Sequence, residues 1–152
     1  MKALVVFYSR TGNTRKVGNK IAKILKADID EIIDMKDRRG IIGWFVSGKD
    51  ASQGNPAQIK NKLNPEKYDL LIIGTPVWAW TITPAIRAYL RKYNLKGKKP
   101  KIAFFCTCGG NSSKTFTEMQ ALSKKPLASL VVSDKKLVCS DKEIKEFCDV
   151  LR

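Results

Sequence analysis

Residues 3–14 read ALVVFYSRTGNT, an unbroken apolar run from Ala3 to Tyr8 followed at once by Ser9, Arg10, Thr11, Gly12, Asn13 and Thr14. A run apolar on both of its faces suits a strand buried inside a parallel sheet. Beyond it, Val17, Ile21, Ile24 and Leu25 recur at helical spacing, so SRTGNT falls where a strand turns into a helix. At such a turn the first N–H groups of the helix have no partner in the helix, and Gly12 lets the chain bend around a small anion. Ser9, Thr11, Asn13 and Thr14 add side-chain donors, and Arg10 is the only fixed charge in the loop. The loop holds no lysine and matches neither G-x-x-x-x-G-K-[ST] nor G-x-G-x-x-G. It therefore suits a terminal phosphate held mainly by neutral donors. The same residue types also cap ordinary βα turns that bind nothing.

The rest of the chain alternates in the same way. Apolar runs at 69–75, 101–107 and 128–133, with a more alternating stretch at 28–34, predict four further strands. Between them, Ile86, Tyr89, Leu90 and Tyr93 form one helical face behind Thr83 as cap and Pro84 as first helical residue. Phe116, Met119 and Leu122 predict another helix, and Ser140 with Glu143 forms a capping box ahead of Ile144, Phe147, Cys148 and Leu151. Strand and helix alternate to the end of the sequence, which predicts a three-layer α/β fold with a five-stranded parallel sheet and right-handed crossovers.

Composition narrows the chemistry. With 152 residues, 43% of them hydrophobic, the chain is expected to form a single domain over 1–152. No apolar run reaches the roughly 18 residues of a membrane span, and the first residues lack the pattern of a signal peptide. A cytoplasmic location with no membrane contact is the expectation. Cys106, Cys108, Cys139 and Cys148 show no C-x-x-C pair and no zinc-ligand spacing, so reduced thiols and no metal site are expected. Histidine is absent, which removes the usual general base. No catalytic side chain stands out, and any chemistry falls to a bound cofactor.

In open parallel sheets, ligands sit beyond the carboxyl ends of the strands. The third apolar run leads into Thr75, Pro76, Val77, Trp78, Ala79 and Trp80, and the fourth into Thr107, Cys108, Gly109 and Gly110. A phosphate loop, a tryptophan loop and a glycine-rich loop thus reach one edge. Together they resemble the flavodoxin-like FMN proteins over nearly the whole chain, in the short-chain form. The resemblance implies strand order 2-1-3-4-5 and FMN as cofactor, with its phosphate on Ser9–Thr14 and its ring between the other two loops. The residues themselves fit that implication: Trp78 offers a broad face for stacking, and Gly109 and Gly110 let backbone approach a ring edge. Cys108 is either a soft contact beside the ring or a thiol without a role.

Three features depart from the pattern or stand outside it. Relatives often carry a glycine after the tryptophan, where this chain has Ala79 and Trp80; positive φ at such residues costs roughly 1–2 kcal/mol. Residues 35–56 hold Ile41, Ile42, Trp44, Phe45 and Val46 in a stretch too long for a plain connection, readable as a lid, a dimer contact or a helical piece on the sheet edge. The net charge is +15, and Arg91–Lys101 contains six basic residues and no acid, which points to an acidic redox partner or to a solvated basic surface. The basic stretches lack interleaved aromatics and any nucleic-acid motif. Three functions follow: an FMN electron carrier, which the resemblance favours; an FMN-dependent NAD(P)H oxidoreductase acting on a quinone or similar acceptor; and a flavin-free binding or signalling module. A phosphoacceptor domain of that last kind needs acids after the first strand and an aspartate ending the third, where this chain has Ser9-Arg10 and Thr75.

Overall fold

The computed structural model describes residues 1–36, 40–136 and 141–152. Its elements run β1 (Ala3–Phe7), α1 (Asn13–Leu25), β2 (Asp28–Glu31), β3 (Ile33–Asp34), α2 (Gly40–Ser52), β4 (Ile59–Lys60), β5 (Leu70–Pro76), α3 (Pro84–Tyr93), β6 (Lys101–Cys108), α4 (Thr115–Leu122), β7 (Ser129–Ser133) and α5 (Asp141–Val150). Five strands form one parallel sheet in the order β2-β1-β5-β6-β7. Counting only those five, the order is the expected 2-1-3-4-5.

Alternation along the strands divides the core in two. Ala3, Val5 and Phe7 of β1 pack with Val17 and Ile21 of α1 and with Ile144 and Phe147 of α5. Leu4 and Val6 pack the other way, with Ile86, Tyr89 and Leu90 of α3 and Met119 of α4. Both faces of the central strands are covered, which is why their sequences read as continuous apolar runs. Close approach sets the height of α1 over the sheet: a Cβ at Gly18 would lie 2.5 Å from the Phe7 ring. The cap expected at Thr83 is present, its hydroxyl accepting from the Ile86 amide at 3.4 Å ahead of Pro84. The capping box expected at Ser140 and Glu143 has its serine, like Cys139, outside the described residues.

The stretch read as one strand over 28–34 is two. Asp30 is buried, and its carboxylate accepts from the amides of Lys62 and Leu63 at 3.0 and 2.7 Å and from the Asn61 side chain at 3.3 Å. These bonds draw the 61–63 segment across the sheet edge. Beyond them the chain leaves β1, and β3 pairs antiparallel with β4 in a separate two-stranded piece. Residues 40–52 form a regular helix. Gly43, Ser47 and Ala51 face inward along it, while Ile42 and Phe45 are 80% and 65% exposed.

The basic stretch Arg91–Lys101 joins the end of α3 to the start of β6. It therefore lies at the amino ends of the strands, away from the edge where the three loops meet. No helix among the described residues is long and apolar enough to cross a membrane.

Cys106 and Cys148 are fully buried, and burial pushes both thiols up, Cys148 to about 11 and Cys106 further. An unfolded thiol ionises near 8.5. Above that pH the unfolded chain releases protons that the folded chain keeps, so stability falls as pH rises, through about pH 11 for Cys148. Each thiol contributes a slope of up to about 1.4 kcal/mol per pH unit. Urea unfolding at pH 7.5, 8.5 and 9.5 is expected to give a shallow fall across the first interval and one about threefold steeper across the second, and Cys148→Ala should make both shallower.

Candidate functional site

The site begins where β1 ends. Gly12 has φ 97, a left-handed conformation that a glycine adopts without penalty, and it turns the chain into α1. Ser9 braces this turn: its Oγ accepts from the Gly12 amide at 3.1 Å and from the Arg15 amide at 3.2 Å. The Lys16 amide bonds the Gly12 carbonyl at 3.0 Å. Among the described residues, the amides of Thr11, Asn13 and Thr14 have no acceptor. They are the orphan donors of a helix start, and the positive end of the helix dipole lies behind them. Ser9 thus shapes the loop through its acceptor lone pairs, and its hydroxyl proton stays available to donate.

A cavity of about 260 Å³ opens over these amides, lined by Arg10, Thr11, Asn13, Thr14, Pro76, Val77, Trp78, Thr107 and Asp134. Its floor is polar. The hydroxyls of Thr14 and Thr107 lie 2.8 Å apart, and Asn13 Nδ2 donates to Asp134 at 3.1 Å. Thr75 does not reach the cavity. It is wholly buried, its hydroxyl bonding the Pro76 carbonyl at 2.8 Å and the Thr83 hydroxyl at 3.2 Å.

A second cavity, about 560 Å³, adjoins the first and shares Arg10, Val77 and Trp78 with it. Trp78 meets Tyr8 edge-on with ring centroids 5.5 Å apart. Trp78 and Thr81 exchange both backbone hydrogen bonds at 3.0 Å, closing a two-residue turn at Ala79 and Trp80. Both residues have positive φ, 46 and 63, the geometry of a type I′ turn, which Asn-Gly fills more readily than Ala-Trp. Each L residue held there costs roughly 1–2 kcal/mol. Trp80 lines the cavity while 75% exposed.

Opposite the turn, Cys108, Gly109 and Gly110 form another wall. A Cβ at either glycine would meet nothing within 4 Å, and neither has positive φ, so their contribution is room. Burial pushes the Cys108 thiol up, against a hydrogen bond from the Gly110 amide that lowers it. Cys108 is thus a neutral thiol near pH 7, a soft apolar contact rather than a nucleophile. Ser47 and Gly48 of α2 complete the enclosure; a lid is among the readings of residues 35–56, but neither of these two residues stands out in that sequence. The Trp44 side chain lies outside what is described.

A larger cavity, about 790 Å³, runs along the β2 edge past Ser9 and Arg10. Its other charges are largely satisfied internally, since Arg15 grips both oxygens of Glu31 at 2.8 and 2.6 Å and Asp30 is bonded as above. The pair of cavities beside it has the better shape for a ligand: a small polar cradle for an anion joined to an apolar slot wide enough for a flat ring.

A family model described as flavodoxin matches residues 2–150. No curated protein matches the chain. Among solved structures, a flavoprotein from Lactobacillus acidophilus in complex with FMN is 22% identical, with 96% of this chain and 97% of that one covered and a TM-score of 0.74. Oxidised flavodoxin 1 from Bacillus cereus is 20% identical, covers 98% of each chain and has a TM-score of 0.55. A WrbA-like flavodoxin from Agrobacterium tumefaciens is 14% identical, with 98% and 96% covered and a TM-score of 0.58. At these identities the structural likeness establishes the shared fold.

The buried hydroxyl pair offers a test of the cradle's floor. Thr14 and Thr107 are 1% and 2% exposed, so Thr107→Val leaves the Thr14 hydroxyl without its partner and should cost about 1–3 kcal/mol in urea unfolding. Removing both hydroxyls in Thr14→Val/Thr107→Val should cost less than the sum of the two single changes.

Proposed function

Because the chain belongs to the flavodoxin family, we propose that it is an FMN flavoprotein, one binding unit over residues 1–152, that carries electrons between partner proteins. The observation that carries this reading is the cradle of unpartnered amides at Thr11, Asn13 and Thr14 opening directly into an apolar slot beside Trp78. The Lactobacillus acidophilus relative in complex with FMN supports the choice of ligand.

In this reading the amides and the side chains of Thr11, Asn13 and Thr14 bind the phosphate, and Arg10 is the cation that lines the cradle. Hydrogen bonds to a charged acceptor are worth about 1.5–3 kcal/mol each. Val77, Trp78 and Trp80 face the ring from one side, and Cys108 with the Gly109–Gly110 backbone bounds it from the other. When bound, FMN supplies one- and two-electron transfer. The protein's part is to orient the ring, keep water from its buried portion and leave an edge reachable past Trp80.

The net charge favours an acidic redox partner, yet the basic stretch at 91–101 is not placed to seat one over the ring. β6 has eight residues, about 26 Å of strand, between Lys101 and the slot. A partner docked over the ring would meet Arg10, Lys114 and Trp80 instead.

A second reading has one observation in its favour. α2 brings Ser47 and Gly48 across the slot, and such an enclosure suits a small acceptor on an NAD(P)H-dependent oxidoreductase. The WrbA-like relative shares the fold on which that reading rests. Mixing the FMN-loaded protein anaerobically with NADPH or NADH separates the two: rapid bleaching of the flavin's visible absorbance favours the enzyme, and its absence the carrier.

Two substitutions test the ligand assignment together. Asn13→Ala should weaken FMN much more than riboflavin, because it touches only the cradle. Trp78→Ala should weaken both flavins alike, by roughly 1–3 kcal/mol as for stacked planar bases. Equal losses of FMN and riboflavin in Asn13→Ala would contradict the phosphate assignment.

A further inference from the structure

Two sides of the ring slot, the tryptophan turn and α2, are tied to one buried cation. Arg87, on α3, is 2% exposed. Its Nε donates to Glu118 Oε1 at 3.0 Å, and Nη2 donates to the same oxygen. Its Nη1 donates at 3.3 Å to the Ala51 carbonyl, in the last turn of α2. That is the negative end of the helix that brings Ser47 and Gly48 to the slot, a favourable place for a guanidinium. The other oxygen of Glu118 accepts from the Thr81 hydroxyl. Thr81 closes the turn in which Ala79 and Trp80 hold positive φ. The chain of bonds therefore runs from α2, through Arg87 and Glu118, to the tryptophan turn.

Two considerations indicate that this network does more than fill the space between α3 and α4. A buried ion pair is weak evidence of stability, since desolvation offsets much of the attraction and an apolar pair of similar volume often serves as well. The turn, by contrast, needs outside support, because Ala-Trp does not favour the conformation it holds. The Thr81 bond to Glu118 and the bond from the Lys114 amide to the Trp80 carbonyl at 3.1 Å supply it. Only a planar fork with several fixed donors reaches both the carboxylate and the Ala51 carbonyl; a lysine ammonium on its flexible stem does not.

We propose that Arg87 is a positioning residue that sets the width of the ring slot, clamping the Ala79–Trp80 turn through Glu118 and Thr81 while fixing α2 through Ala51. The proposal rests on the reading that the slot receives the flavin ring.

The test compares wild type, Arg87→Lys and the apolar pair Arg87→Met/Glu118→Leu, with FMN and riboflavin titrations, thermal unfolding and hydrogen exchange. The apolar pair leaves no buried charge unpaired, so it should keep its melting temperature within a few degrees. Both variants should bind riboflavin and FMN about tenfold more weakly, with the ratio between the two flavins unchanged because the cradle is untouched. The Trp78 and Thr81 amides should exchange at least tenfold faster than in wild type while β5 and β6 keep their protection. Unchanged affinity in both variants overturns the proposal alone. So does an affinity loss that merely follows a fall in melting temperature, with exchange accelerated throughout the sheet. A wild-type chain that binds neither flavin removes the FMN reading and, with it, this proposal.

Discussion

The constraint on which the site depends is the obligation of backbone amides to find acceptors. Where β1 hands over to α1, the amides of Thr11, Asn13 and Thr14 have none among the described residues. The surrounding residues supply the shape but not the partner: Ser9 satisfies Gly12 and Arg15, Gly12 satisfies Lys16, and the hydroxyls of Thr14 and Thr107 satisfy each other. What is left over points one way, into a cradle that an anion completes. In the proposed reading, the tryptophan turn, the Cys108–Gly110 wall and α2 enclose what the anion is attached to.

Charge is distributed differently from what the net value implies. A total of +15 invites the idea that lysines tune the ligand site. The densest basic stretch, however, starts from the far end of β6, and about 26 Å of strand exceeds by far a Debye length of roughly 8–10 Å. Near the cradle the fixed charges are Arg10 on one side and Asp134 on the other. The cradle's lining thus carries one charge of each sign, and in the proposed reading donor geometry does more of the selecting than a cationic field. The basic end of the molecule is free to serve solubility or encounter with acidic surfaces.

Much of this was legible in the sequence because the physical signals were local. Continuous apolar runs marked β1, β5 and β6 as strands buried on both faces, Thr83-Pro84 marked the start of α3, and SRTGNT marked the turn that forms the cradle. What was not legible depended on partners distant in sequence. Asp30 is buried in β2 and binds amides at 62 and 63, which no alternation pattern at 28–34 reveals. Thr75 reads as a loop hydroxyl but is enclosed by Pro76 and Thr83. Arg87 sits in a helix rich in basic residues, and nothing in its spacing separates it from the exposed Arg91 until Glu118 and Ala51 are brought to it by the fold. The positive φ anticipated as a cost at Ala79 is already present in the structure, shared with Trp80.

A crystal structure of the chain grown with FMN tests the central claim most directly. The account predicts the phosphate within hydrogen-bonding distance of the Thr11, Asn13 and Thr14 amides, and the ring between the Trp78–Trp80 turn and the Cys108–Gly110 wall. A phosphate bound elsewhere, for instance on Arg15 and Lys36 in the cavity along β2, with the Thr11–Thr14 amides left to water, would contradict it.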